Sequence, residues 1–99
     1  MKTIKYDIDY FIKKFKAIHH SRWTTKEFEV DGKYCAYGHC GVTNREGNEE
    51  GVALSNICQK YDMSFVHIND GISLNYKQKT PRARVLAALN DIKLKQTNK

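Results

Sequence analysis

Apolar positions recur at helical spacing near the start of the chain. Ile8, Phe11, Ile12, Phe15 and Ile18 make one stripe, and Lys13, Lys14 and Lys16 are left for water. Asp7 precedes the stripe as a helix cap, so a first helix is predicted from residue 8. His19, His20 and Arg22 fall near its end, where positive groups meet the negative pole of the helix. The pattern then changes period. Residues 24 to 34, TTKEFEVDGKY, alternate through Phe28 and Val30 and meet Asp31-Gly32, which predicts a short strand or extended arm closing in a turn. Trp23, just before it, should anchor that arm on the core.

The stretch YCAYGHCGV, Tyr34 to Val42, reads as a short buried helix, and the polar TNREGNEEG after it as a surface loop. Asn48 caps a further helix whose Leu54, Ile57, Cys58 and Tyr61 share a face. Met63 to Asp70, MSFVHIND, begins like a strand and ends in turn chemistry at Asn69-Asp70-Gly71. Ile72 to Tyr76 suggests a further short extended piece. The last helix has the clearest start, with Thr80 as cap, Pro81 as first helical residue and Val85, Leu86, Leu89 and Ile92 as buried face. The predicted fold class is mainly α with minor β: about four helices round one core, with a short strand or hairpin. The 99 residues form a single domain, 1–99, with 1–6 and 95–99 expected to fray.

Charge changes this picture in one respect. The net +6 is not spread evenly: residues 77 to 99 hold Lys77, Lys79, Arg82, Arg84, Lys93, Lys95 and Lys99 against Asp91 alone. Such a skew attracts nucleic acid or another acidic surface. Lys77, Lys79, Arg82 and Arg84 straddle a helix N-terminus, whose free N–H groups can also hold a phosphate, and Tyr76 beside them can stack on an unpaired base. No apolar run approaches the roughly 18 residues that span a bilayer, so no membrane partner is expected. Three cysteines, an odd number, fit a reducing cytoplasm and core positions.

The nine-residue stretch admits three chemistries. As a metal site, Cys35 and His39 at i and i+4 of a helix share a face, and further donors would have to be Cys58 and His67. As a thiol nucleophile, Cys35 at a helix start would have a lowered pKa, with His67 and then Asn69 or Asp70 following in the order that papain-like enzymes use. As packing material, the small residues Cys35, Ala36, Gly38, Cys40 and Gly41 let neighbouring helices approach closely. The third asks least of the rest of the chain, so neither a cofactor nor a catalytic group is expected. Asn69-Asp70-Gly71 is expected to fold back on its own backbone and fix a turn. Neither a phosphate loop nor a dinucleotide fingerprint appears.

Three pieces in order, CAYGHCGV, the IND turn and TPRARVLAALNDI, resemble a family of small phage and bacterial proteins of unknown function. Its members carry a Cys-Ala-x-Gly helix, an Asn-Asp pair and a terminal amphipathic helix. This chain has Ile68 where the family has an aromatic, and His39-Cys40 where apolar residues are usual. The resemblance implies no activity. It implies an accessory protein of a phage or mobile element. The functional expectation is a non-enzymatic module whose basic C-terminal surface binds nucleic acid or an acidic host protein. Lys77, Lys79, Arg82, Arg84, Tyr76 and Lys93 would form the contact. The alternative is an assembly subunit that forms homo-oligomers.

Overall fold

Asp7 caps the first helix as expected, its carboxylate accepting from the Tyr10 amide at 2.8 Å, and α1 runs Ile8–Lys16. The computed structural model describes residues 6–25, 29–42, 48–72 and 76–97. Among these, a one-turn 3-10 helix, His20–Arg22, follows α1 and delivers Trp23 into the core at 5 % exposure. Strands β1, Glu29–Val30, and β2, Lys33–Tyr34, pair antiparallel across a two-residue turn. Both turn residues have positive φ, Asp31 at 51° and Gly32 at 79°, the conformation that a tight hairpin of this twist needs. The short helix α2, Ala36–His39, comes next, followed by α3, Glu49–Lys60; α4, Phe65–Asp70; and α5, Pro81–Thr97. Phe28 and the stretches 43–47 and 73–75 lie outside the described residues, and with them parts of the expected arm, surface loop and extended piece.

The architecture is mainly helical with one small hairpin. The expected α3 and α5 are in place. Asn48 Oδ1 accepts from the Gly51 amide at 2.8 Å, and Thr80 Oγ1 accepts from Ala83 at 3.2 Å ahead of Pro81. Gly51 lies against Val42, so closely that a Cβ there would collide with the valine methyl. Tyr6, expected to fray, packs edge-on against Tyr10 with ring centroids 5.1 Å apart, and α5 stays helical through residues 95–97.

One element differs in kind from expectation. Residues 65–70 are helical, not strand-like. Ser64 Oγ accepts from the His67 amide, and Gly71 at φ 78° ends the helix in the left-handed conformation. A strand would set Phe65 beside His67 on one face. The helix instead turns Phe65, Ile68 and Asn69 inward together and leaves Val66 and His67 in water. Burying two large apolar side chains, worth about 1.5–3 kcal/mol each, outweighs the β preference of Val66 and Ile68.

Helices α1 and α5 lie antiparallel, because Asp9 at the start of α1 pairs with Lys93 at 2.6 Å while Lys16 at its end meets Arg82. Phe11, Phe15, Leu54, Phe65, Val85, Ala88, Leu89 and Ile92 fill the space between the helices and are wholly buried. Phe15 meets Trp23 edge to face at 5.3 Å, and the Trp23 indole donates to the Ile18 carbonyl. Tyr10 donates to Glu50, which also pairs with Lys14 at 3.0 Å, tying α1 to α3. Among the described residues no helix is long and apolar enough to cross a membrane.

Candidate functional site

The nine-residue stretch is interior. Cys35 is the cap of α2, not a member of it, and its Sγ accepts from the Gly38 amide at 3.4 Å. Ala36 is fully buried, and Cys40 and Cys58 are each 3 % exposed. Cys58 Sγ accepts from the Phe65 amide at 3.2 Å, joining α3 to α4. Burial pushes the Cys35 thiol up despite its place at a helix start, because desolvation of a thiolate outweighs the few amides that face it. The same cause lifts Cys40 to about 12 and Cys58 to about 11. All three thiols are therefore protonated at neutral pH. Iodoacetamide at pH 8 should label the native protein slowly and label all three cysteines in urea. Rapid labelling of Cys35 in the native state would restore the nucleophile.

His67 is exposed on α4, whereas Cys35 is buried. His39 sits between Trp23, at 4.7 Å between ring centroids, and Tyr34, at 5.3 Å, and burial lowers its pKa to about 4, so the ring is neutral. Among the described residues no three His, Cys, Asp or Glu side chains converge as a metal site would require, so Cys35, His39, Cys58 and His67 are not brought together as ligands.

Asn69 is the polar centre of the fold. It is 1 % exposed, its Oδ1 accepts from the Ala36 amide at 3.1 Å, and its Nδ2 donates to the Thr24 carbonyl at 2.8 Å. The chain does turn at Gly71, whose amide bonds to the Ile68 carbonyl, but the Asn69 side chain does not fold back to fix that turn and instead clamps three segments: the arm, α2 and α4. A single asparagine can do this because it offers a donor and an acceptor side by side, matching one backbone C=O and one N–H. Only the pairing of Asn69 with a following Asp-Gly was visible in the sequence, and that pattern signals turns far more often than clamps.

The expected basic surface divides. Arg84 is turned inward at 8 % exposure: Nε donates to the Ile68 carbonyl at 2.9 Å, Nη2 to Asn69 at 2.7 Å and Nη1 to Gln78 at 2.8 Å. It adds donors at the C-terminal end of α4, where the Ile68 carbonyl also accepts from the Gly71 amide. Tyr76 is also buried, its hydroxyl donating to Asp91 at 2.8 Å, so it offers no face to a base. Burial first, and the bond to Asp91 second, raise its pKa to about 12. Lys93 is engaged with Asp9. Lys77 and Lys79 remain exposed and Arg82 half-exposed. The Arg82 guanidinium donates through Nη2 to the Lys16 carbonyl at 2.8 Å.

That bond places the start of α5 beside the end of α1, and the 3-10 helix also packs against α5. Lys16, His19, His20 and Arg22 are all exposed there, the two imidazoles 4.3 Å apart. None of the cations on α1 or the 3-10 helix entered the sequence-level surface, because acidic residues elsewhere in the first three quarters of the chain cancel their charge. Comparison with family models, curated proteins and solved structures yields no match, which leaves the chemistry of the site itself as the guide to its function.

Proposed function

We propose that the protein is a non-enzymatic module that binds nucleic acid through the phosphate backbone, using exposed cations at the start of α5. The observation that carries this reading is the arrangement of Lys77, Lys79 and Arg82. Lys77 and Lys79 are exposed ahead of a 17-residue helix, Arg82 is half-exposed in its first turn, and no carboxylate occurs in the sequence between Asp70 and Asp91. Point charges suit phosphate oxygens and carry no base information. With Tyr76 withdrawn into the core, contact of this kind is indifferent to sequence. The buried, protonated cysteines favour binding over catalysis at Cys35. Placement among phage or mobile-element accessory proteins rests on the three short motifs alone.

Substituting Lys77, Lys79 and Arg82 together by alanine should weaken binding to a duplex of arbitrary sequence at least tenfold. It should also reduce the slope of log K against log salt by about 0.9 for each phosphate that is no longer neutralised. Unchanged affinity and slope would remove the reading. A mass that grows with concentration, with no nucleic-acid shift, would favour an assembly subunit instead. One feature suits that second reading: a groove of ≈ 490 Å³ between α3 and α4, lined by Tyr37, Val42, Met63 and Val66 among others, with Val66 50 % exposed.

A further inference from the structure

His39 ends α2 at the seam where the arm meets β2. Trp23 and Tyr34 bridge there through their backbones, and the Thr24 amide donates to the Tyr34 carbonyl at 3.0 Å. The imidazole lies against both aromatic rings and hydrogen-bonds to the backbone of Arg22. Its Nε2 is closed to solvent and meets no partner among the described residues. A neutral ring tolerates this, because a bare nitrogen without a donor costs far less than an unpaired charge. An imidazolium would put a second N–H and a positive charge where no acceptor waits. The charged groups on neighbouring elements add to that cost. Lys14 on α1 and Arg22 on the 3-10 helix are both cations that repel a charge on the ring, and β2 contributes only the Tyr34 ring. Glu50 on α3 is already engaged by Lys14 and Tyr10.

We infer that His39 is an acid-sensitive latch: its neutral ring closes the seam against Trp23 and Tyr34, and protonation drives the ring out and loosens the arm from α2. This holds whatever the cations near α5 bind. Burial is the main cause that keeps the ring at about 4, and repulsion from Lys14 and Arg22 adds to it against the Arg22 backbone bond. The folded-state value lies below the unfolded 6.5, so the open state takes up the proton more readily. The stability that the neutral ring contributes is full above pH 6.5 and is lost as pH falls from there toward about 4. A shift from 6.5 to about 4 is a bias of up to about 300-fold against the charged ring in the closed seam. The route out is short. His39 is only partly buried, so a change of rotamer takes the ring to water, where it recovers its hydration. Trp23 then loses the imidazole that covers one side of it.

Two measurements on the whole chain test the latch. In a proton NMR titration the His39 ring, identified by its proximity to Trp23, should titrate at about 4. A value within about one unit of the ordinary 6.5 would overturn the inference. The second readout is the emission of Trp23, the one tryptophan in the sequence, followed together with the far-UV helix signal as pH is lowered. In the parent the emission should shift to the red between pH 6.5 and 4 while the helix signal holds. The same shift should occur in a His67→Gln control, which alters an exposed imidazole on α4. In His39→Phe, which keeps an aromatic ring without a titrating nitrogen, it should vanish. If that variant lacks a native spectrum at pH 7, His39→Gln takes its place, because its amide still offers Arg22 a donor. No shift in the parent, or the same shift without His39, would sink the latch. So would a shift that coincides with loss of helix, because the event would then be global acid unfolding.

Discussion

Replacing Arg84 by alanine lowers the unfolding free energy by roughly 2–4 kcal/mol, read as a fall in the urea midpoint at unchanged slope. The side chain donates to three carbonyls at once, those of Ile68, Asn69 and Gln78, and two of them belong to the last turn of α4. Truncation removes the donor of the buried Asn69 carbonyl, while Ile68 keeps the Gly71 amide and the Gln78 carbonyl lies at the more open side. Burial lowers the Arg84 pKa, and nearby Asp70 opposes the shift. Lysine at this position restores the charge but not the planar fork, and should recover less than half of the loss. A loss below about 0.5 kcal/mol, the level of an ordinary surface substitution, would show that Arg84 is not a structural brace.

Asn69→Asp should cost as much at neutral pH, and its cost should depend on pH in a defined direction. A carboxylate at this position still accepts from Ala36, but it turns a negative oxygen toward the Thr24 carbonyl and toward Asp70. Burial and these acceptors raise the folded-state pKa of the new carboxyl above its unfolded value of about 3.9. A carboxyl raised in this way destabilises the fold above the unfolded pKa, where folding must take up a proton or bury a charge. The difference from the parent protein therefore shrinks as pH falls toward 4, where the protonated acid can donate to Thr24 as the amide did. Asn69→Ala lacks any such donor and should lose a similar 2–4 kcal/mol with no pH dependence of the difference. Parallel pH curves for the aspartate and alanine variants would show that the clamp geometry is wrong.

Helix positions were largely legible along the chain because their signals are local. Asp7, Asn48 and Thr80 each accept an amide three residues on, and such caps depend on nearby backbone alone. The hairpin was legible for the same reason, since Asp31-Gly32 tolerates the positive φ that its turn imposes. The segment from Met63 to Asp70 misled because it is short. Six helical residues make fewer than two turns, and Val66 and Ile68 then suggest a strand as readily. Its helical state depends on a buried face supplied by α2 and α5.

Spacing and residue chemistry within a few positions were thus enough for the helical class, the caps, the hairpin turn and the assignment of the cysteine-rich stretch to packing. The purpose of each polar group at the C-terminal end became readable only once the helices were assembled. Arg84 and Tyr76 share their sequence neighbourhood with Lys77 and Lys79, yet they point into the core because the carbonyls of α4 and the carboxylate of Asp91 wait there. The Lys16 carbonyl, 66 residues earlier, comes to accept from Arg82. Position in the chain does not give position in space, and antiparallel packing of α1 on α5 is what brings the end of one helix to the start of the other.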